Sequence, residues 1–334
     1  MRIAIPGTGE PSYDPPDAAL LDAAAGWVAR IDPARMRDLV TSLPGPRNRM
    51  DAAANMERTD RLIVDAWRAA GWRVGRQRIR LGDERGGVDG MNLVAIREGT
   101  TRDAIVVVAH HDTVRGAPGA DDNGAGVAAL LELAAQLGTS PSHATVILAA
   151  PDFEEIGLIG SRSLVAWLRR EYRVRGAIVY DPIGFMDPAP HTQTLPPGID
   201  TLYPGQVERL AARSFAGDTV VALYRRRSLG LVREWARCLS ATLDPARVLL
   251  VRDPLDLPVV GPALLSVPAA RHFSRSDHVN FWRAGLPAIQ VTNTANFRNA
   301  NYHLPGDTPD TLDYQTLARI TAATALVVEH LSGR

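Results

Sequence analysis

The sequence contains no lysine and a single cysteine, and both scarcities limit the chemistry that is open to it. All 37 basic residues among the 334 are arginine, so a catalytic lysine or a Schiff base is excluded. The one cysteine, Cys238, excludes an internal disulfide, a cysteine-rich zinc module and an iron–sulfur site. It lies in the amphipathic helical pattern "REWARCLSATL", and we therefore expect a thiol that belongs to the core.

An excess of charge of one sign and long apolar runs are also absent. The 37 basic residues balance 37 acidic ones, so nothing in the composition suggests nucleic acid or an anionic membrane surface as a partner. No apolar run approaches the ~20 residues of a membrane span, and the N-terminus lacks a basic stretch followed by a long apolar one. We therefore expect a cytoplasmic protein that binds neither membrane nor nucleic acid. The oligomeric state is left open.

The sequence does contain an alternation of apolar strand patterns and amphipathic helix patterns. Continuous β-branched runs such as "AIVVVAHHD" and "HATVILAAPDF" are typical of strands that are covered on both faces. Helical patterns separate these runs along the chain. The order predicts an α/β fold, a three-layer α/β/α sandwich with a mostly parallel, mixed central sheet.

We predict one large domain with an N-terminal extension. Residues 1–50 are rich in proline and glycine at both ends and would pack on a single domain of residues 51–334. Within that domain, residues 185–275 are less regular and would shape the substrate side of the site. The pattern from residue 308 predicts a long C-terminal helix, with Thr308 or Asp310 as its cap.

Acidic residues and histidines follow the predicted strands at the points where the strands end. Active sites of parallel α/β sheets lie at the carboxyl ends of the strands. The residues concerned are His110, Asp112, Asp121, Asp122, Glu154, Glu155, Asp181 and His303. Imidazoles and carboxylates without sulfur suit a catalytic zinc, with cobalt or manganese as possible substitutes.

The number of potential ligands favours two metal ions over one. A single catalytic zinc needs about three protein ligands and a water. Five ligands are available: His110, Asp121, Glu155, Asp181 and His303. Two ions about 3.5–4 Å apart, each with one histidine and one carboxylate and joined by a bridging aspartate, would use all five. Glu154 is then left over.

Six ordered motifs between about residue 50 and the C-terminus resemble metallopeptidase family 28, the co-catalytic dizinc aminopeptidases. They are H-x-D at 110–112, G-A-D-D-N-x-x-G at 119–126, E-E-x-G-L-x-G-S at 154–161, D-x-I-G at 181–184, S-D-H-x-x-F at 276–281 and Y-H-x-x-x-D-T at 302–308. The chain departs from the family at Pro182, where an apolar residue such as methionine is usual. It also departs at His111, where many relatives carry tyrosine. We do not expect His111 to be a ligand, because neighbouring residues of a strand point to opposite faces.

The resemblance implies a role for each residue of the cluster. Asp121 would bridge the two zinc ions, and the Asp121–Asp122 peptide would be cis. Glu154 would be the general base, and Asp112 would orient His110. The remaining ligands would divide between the ions, His110 and Asp181 on one, Glu155 and His303 on the other.

Two further residues, His278 and Tyr302, are weaker candidates for the substrate side. His278 would face the substrate or support a ligand, and a structural role fits its position equally well. Tyr302 would stabilise a tetrahedral oxyanion or serve packing. The remaining histidines are assigned to the surface or the core: His143, His191, His272 and His330.

The function that the sequence predicts is that of a zinc-dependent exopeptidase, an aminopeptidase that hydrolyses a peptide or small amide with a metal-activated water. Three alternatives stay open. Glutaminyl cyclases resemble the family but use one zinc and the attack of an intramolecular amine. An amidohydrolase would act on an N-acyl small metabolite. A non-catalytic binding domain of this fold would have lost ligands, and here every ligand position is kept. The side-chain preference is not predicted.

Overall fold

The computed structural model describes residues 7–82, 87–139, 141–257 and 268–333. Eight strands form one sheet with the order β1-β2-β4-β3-β5-β8-β6-β7. The strands are β1 (Arg73–Leu81), β2 (Val88–Arg97), β3 (Asp103–Val108), β4 (Thr145–Ala150), β5 (Arg173–Tyr180), β6 (Val220–Tyr224), β7 (Val248–Arg252) and β8 (Ala288–Thr292). Four of the seven neighbouring pairs are parallel and three are antiparallel. The mixed, mostly parallel sheet is therefore confirmed.

Helices cover both faces of this sheet. Along β3, Ile105 and Val107 join one buried core, whereas Ala104, Val106 and Val108 join the other, as alternating side chains of a strand must. The helices are α1 (Ala18–Arg30), α2 (Pro33–Ser42), α3 (Ala53–Ala69), α4 (Gly126–Leu137), α5 (Ile159–Glu171), α6 (Ile199–Leu202), α7 (Pro204–Ala212), α8 (Leu229–Thr242), α9 (His278–Arg283) and α10 (Tyr314–Ser332). Helices α1 to α4, α8 and α10 contribute to the first core, and α5, α6, α7 and α9 to the second. The three-layer α/β/α fold is confirmed.

The N-terminal segment is part of the first core. Asp17 and Asp32 cap α1 and α2 by accepting the backbone N–H groups of Leu20 and Ala34. Trp27 of α1 is buried, and its indole N–H donates to Glu329 Oε2 of α10 at 2.9 Å. Helices α1 and α2 therefore pack on the last helix of the chain. The boundary at residue 50 remains a prediction.

Two local expectations differ from the structure. Residues 185–257 are more regular than predicted, because they hold α6, α7 and β6 besides α8 and β7, whose patterns "SLGLVREWARCLSATL" and "ARVLLV" are those of a helix and a strand; residues 258–267 lie outside the described chain. The expected caps of the last helix, Thr308 and Asp310, are wrong. Residues Pro309–Thr311 form a separate 3-10 turn, and Asp313 caps α10 by accepting Thr316 N at 3.0 Å.

Within the described ranges, none of the helices combines the length and the apolar character that a membrane crossing requires. The edge of the sheet that matters for chemistry is formed by four neighbouring parallel strands, β4, β3, β5 and β8. Because these strands run in the same direction, the loops that follow them meet at one edge.

Candidate metal centre

Two histidines and four carboxylates meet at that edge. Each comes from a segment that follows a parallel strand or begins a helix, so the fold rather than sequence proximity brings them together. His110 follows β3, Asp181 follows β5, and His303 lies in the long loop after β8. The adjacent residues Glu154 and Glu155 follow β4. Asp122 belongs to the tight turn Ala120–Ala125 that leads into α4.

Asp122 lies between the two histidines. Its Oδ1 is 3.1 Å from His110 Nε2, and its Oδ2 is 2.9 Å from His303 Nε2. Burial of this carboxylate would raise its pKa, but the close approach and the charges of the two imidazoles outweigh burial and hold the pKa below its ordinary value. Asp122 therefore has the bridging position in the cluster.

Asp121, which we predicted as the bridge, is turned the other way. Its fully buried carboxylate accepts hydrogen bonds from the backbone N–H groups of Gly184 and Phe185 and from the side-chain amides of Asn293 and Asn299, at 2.7–3.1 Å. Both of its oxygens thus accept hydrogen bonds, and Asp121 is not among the described residues whose potential ligand atoms group around His110. The prediction of a cis Asp121–Asp122 peptide is wrong as well, because the cis peptide joins Asp122 and Asn123.

Each histidine has a second carboxylate beside it. His110 Nε2 is 3.8 Å from Asp181 Oδ1, and His303 Nε2 is 3.5 Å from Glu155 Oε2. Each histidine therefore lies beside the carboxylate with which the resemblance pairs it, but the division of the ligands between two ions stays a prediction. Potential ligand atoms lie within 4.8 Å of one another in two sets, His110 with Glu154 and Asp181, and His110 with Asp122 and Glu155.

The cluster has the donors and the charge that suit cations. His110 Nε2, Asp122 Oδ1 and Glu155 Oε1 are buried and have no hydrogen-bond partner among the described residues. Burial raises the pKa of Glu154 and of Glu155 well above the ordinary value, since each carboxylate is desolvated among others of like charge. Four neighbouring carboxylates and two imidazoles fit divalent ions of the zinc class.

Asp112 holds the glutamate pair in place. Its two carboxylate oxygens accept the backbone N–H groups of Glu154 and Glu155, each at 3.2 Å. Phe153, just before the pair, has a left-handed backbone with φ of 57°, a strained conformation of the kind often found at functional sites. Toward His110, the backbone oxygen of Asp112 is nearer to Nδ1 (3.1 Å) than its carboxylate is (3.6 Å). Asp112 thus positions His110 and the glutamate pair, and it is not itself among the central ligands.

The two weaker candidates lie in different surroundings. Tyr302 stacks on the ring of His303 with centroids 3.9 Å apart, and it borders a cavity together with Asp181. His278 is buried in the core, where its Nε2 lies 3.0 Å from the carbonyl oxygen of Phe273 and its ring meets Trp282 edge-on at 4.3 Å. These contacts favour the structural role for His278.

His111 points away from the cluster, in agreement with the sequence analysis. Its Nδ1 lies 2.8 Å from the carbonyl oxygen of Pro151, and its Nε2 lies 3.0 Å from Asp60 Oδ1. Arg49 then joins Asp60 to Asp152, at 2.7 Å from each. This buried network supports the segment from which the glutamate pair projects.

Sequence reasoning missed three buried or partly buried residues that lie beside the cluster or support its loops. Asp277 is buried beside Ser161, and its charge acts on His110, Asp181 and Glu154. The sequence did point to Asp277, because this residue belongs to the motif S-D-H-x-x-F.

The second missed residue is Asp307. It accepts the backbone N–H groups of Asp121 at 2.8 Å and of Asp122 at 3.2 Å, and so it orients the turn.

Arg47 is the third such residue and comes from the N-terminal segment. Its guanidinium is buried and donates to the carbonyl oxygens of His111, Pro118 and Gly119, at 3.0, 2.7 and 2.8 Å. Arg47 thus fixes the loop between His110 and the turn that carries Asp122. Residues 36–47 show no pattern that would have revealed this contact.

A cavity of about 150 Å³ opens beside Asp181 and Tyr302. Most of its lining is apolar and includes Ile199, Leu210, Val221, Leu249 and Phe297. These side chains come from α6, α7, β6, β7 and the loop after β8. A cavity of this size and character suits an apolar side chain of a bound molecule.

Comparison with known proteins identifies the family. The model of peptidase family M28 matches residues 92–216 and 261–328, more than half of the chain. The uncharacterised protein YfbL of Escherichia coli (strain K12) is 31% identical over 295 residues, which cover 84% of this chain and 82% of YfbL.

Two solved structures share the fold at low sequence identity. BSAP, a zinc aminopeptidase from Bacillus subtilis, is 15% identical with a TM-score of 0.68, over 91% of this chain and 96% of that one. The glutaminyl cyclase of Fimbriiglobus ruber is 21% identical with a TM-score of 0.62, over 90% of this chain and 95% of that one. The family model and the identity with YfbL lead to one conclusion: the chain belongs to peptidase family M28.

Proposed function

We propose that this protein is a zinc-dependent exopeptidase that removes the N-terminal residue of a peptide. The observation that carries the proposal is the position of Asp122 between His110 and His303. Each histidine has its own second carboxylate, Asp181 or Glu155, so the cluster has the ligands of two adjoining cation sites. Membership of a peptidase family supports amide hydrolysis as the reaction.

Two zinc ions are proposed, with cobalt or manganese as substitutes. His110 and Asp181 would hold one ion, His303 and Glu155 the other, and Asp122 would be shared. When bound, such ions acidify water and polarise a carbonyl oxygen. The negative charge of the uncompensated carboxylates is the reason to expect two dications rather than one.

Glu154 would move the proton in this reaction. It lies in the same group as His110 and Asp181, and its pKa is raised by burial, so it binds a proton more readily than an exposed glutamate. We propose that it accepts a proton from the attacking water and donates it to the nitrogen of the leaving amine. Asp112 fixes the backbone from which Glu154 projects.

The charge of the sheet edge and the lining of the adjacent cavity support a proposal for the substrate. The carboxylates at the sheet edge attract a positively charged amino terminus, which favours attack at the first peptide bond. The adjacent cavity is lined by apolar side chains and would receive the side chain of that first residue. Peptides that begin with leucine, methionine or phenylalanine are therefore the proposed substrates. A cytoplasmic location is still only a prediction from the sequence.

The test combines metal content with a panel of substrates. The panel contains leucine arylamide, its N-acetylated form, aspartate arylamide and a peptide with N-terminal glutamine. We expect hydrolysis of the free leucine arylamide, loss of activity with a chelator, and recovery with zinc. The wild-type chain should bind two more zinc ions than the variant Asp122→Asn.

Each competing reaction predicts a different result in this test. Cleavage of the N-acetylated arylamide alone would replace the proposal with an N-acyl amidohydrolase. Release of ammonia from the glutamine peptide without hydrolysis, together with a difference of one zinc, would indicate a glutaminyl cyclase. Absence of any reaction in the zinc-loaded protein would contradict an enzymatic function.

A further inference from the structure

A second cluster of potential metal ligands lies between two helices, apart from the strand ends. Glu234 and Cys238 are four residues apart on α8 and therefore project from the same face. His330 lies in the last turn of α10, which packs against α8. One potential ligand atom from each of the three residues lies within 4.8 Å of the other two.

The distances in this cluster approach those of a tetrahedral site. Cys238 Sγ is 3.5 Å from Glu234 Oε1 and 4.0 Å from His330 Nδ1, and the latter two atoms are 2.6 Å apart. Zinc–ligand bonds of about 2.0–2.3 Å at tetrahedral angles place ligand atoms about 3.4–3.6 Å apart. The hydrogen bond between His330 and Glu234 would have to open by less than about 1 Å, and the distance between Cys238 Sγ and His330 Nδ1 would have to shorten by about 0.5 Å.

The surroundings leave room for an ion and for a fourth ligand. Cys238 is fully buried, whereas the side chains of His330 and Glu234 are 38% and 25% exposed. A cation held here would meet solvent on one side, so a water could complete its coordination. The nearby Arg237 is engaged with Asp17 at 2.7 Å, which offsets its repulsion of a cation.

We propose that Glu234, Cys238 and His330 bind one zinc ion or a similar divalent transition-metal ion, at a site separate from the strand-end cluster. Thiolate, imidazole and carboxylate together are a donor set that suits zinc and cobalt rather than magnesium or calcium. A bound ion would join α8 to α10 and would thereby stabilise the helical layer over the first core.

Binding must displace the thiol proton of Cys238. Burial raises the pKa of this thiol, so the cysteine is protonated until a metal ion replaces its proton. The step is balanced: one sulfur–hydrogen bond is lost, one sulfur–metal bond forms, and one proton goes to solvent. The alternative is that the three side chains only form hydrogen bonds with one another, as the contact between His330 and Glu234 does.

The single cysteine makes a specific test possible. The full-length protein is stripped of metal and titrated with Co²⁺, with absorption recorded in the near ultraviolet. None of the proposed ligands at the strand ends contains sulfur, so a thiolate-to-cobalt charge-transfer band reports on Cys238 alone. We expect this band in the wild type, together with one more bound cobalt ion than in the variant Cys238→Ala.

Two further variants test the site without replacing the buried cysteine. His330→Gln and Glu234→Gln leave the core thiol in place, and each should weaken the cobalt affinity measured by the band at least about tenfold. His191→Gln, at an exposed histidine in the loop after β5, should leave the band unchanged. A cobalt-loaded wild type without the band, or a band that both glutamine variants retain at full affinity, would overturn the proposal. The readout does not depend on peptidase activity, so failure of the proposed function would leave the result interpretable.

Discussion

The carboxylates of Asp121 and Asp122 are neighbours in sequence and serve opposite sides of the same turn. Asp122 faces His110 and His303, whereas Asp121 faces inward and accepts the amides of Asn293 and Asn299. One carboxylate therefore belongs to the chemistry of the site, and the other ties the turn to the loop after β8.

This division predicts different results for the same substitution at the two positions. Asp122→Asn should lose both zinc ions and essentially all activity, because the amide cannot bridge two cations. Asp121→Asn should keep two zinc ions but lose about 1–3 kcal/mol of stability, since an amide N–H₂ would face the donors that now meet the carboxylate. Zinc content and urea unfolding measure the two effects. Loss of zinc from Asp121→Asn with retention in Asp122→Asn would reverse our assignment.

Replacement of Glu154 tests the proton transfer. Glu154→Gln keeps the size and the hydrogen bond between its backbone N–H and Asp112, but it removes the base. We expect unchanged zinc content and a loss of kcat of about 10²–10⁴. The matched variant Glu155→Gln removes a proposed ligand instead and should lower zinc content. A fully active Glu154→Gln enzyme would show that another group accepts the proton.

Asp277 should influence the rate through Glu154. Burial raises the pKa of Asp277 to about 7, and when ionised its charge raises the pKa of Glu154. Asp277→Asn removes that charge, so the pKa of Glu154 falls and the carboxylate becomes a weaker base. We expect the acid limb of the kcat–pH profile to move to lower pH and kcat to fall up to about tenfold, with KM nearly unchanged. An unshifted acid limb would contradict this influence.

Most of the site was predictable because strand ends are marked in the sequence. His110, Glu154, Glu155 and Asp181 each follow an apolar run, and parallel strands bring such residues together whatever their separation along the chain. The same reasoning could not choose between the two aspartates of the doublet. Their directions are set by contacts from distant segments, above all by Asp307, which accepts the backbone N–H groups of both.

The residues that sequence reasoning missed act through contacts that have no periodic pattern. Asp277 stands next to His278 in a motif that drew attention, but only the structure shows which of the two faces the cluster. Strand β6 was missed for a similar reason. Its five residues are followed at once by arginines at 225–227, whose charges obscure the end of a buried strand, although Arg225 is paired with Asp253 at 2.7 Å.

The buried guanidinium of Arg47 predicts that the N-terminal segment is needed for the site. Arg47→Lys keeps a positive charge, but an ammonium group cannot donate to three carbonyl oxygens in the geometry of the guanidinium. We expect a loss of about 3 kcal/mol in the free energy of unfolding and reduced zinc content, because the loop before Asp122 loses its anchor.

Arg61→Lys is the control for Arg47→Lys. Arg61 is 60% exposed and 3.9 Å from Glu57, so its replacement should change stability by less than about 1 kcal/mol. Equal effects of the two substitutions, measured by urea unfolding, would mean that Arg47 does not anchor the loop.

His278 should make the protein less stable in acid. Burial lowers the pKa of His278 to about 3 in the folded chain, from 6.5 when it is exposed. Between these values the unfolded chain binds the extra proton, so stability is complete above pH 6.5 and falls as the pH decreases toward 3. His278→Gln can still donate to the carbonyl of Phe273 but does not titrate. Urea unfolding at about pH 7 and about pH 5 should therefore show that the wild type loses about 2 kcal/mol more than this variant. Equal losses in the two proteins would mean that His278 is not held neutral by burial.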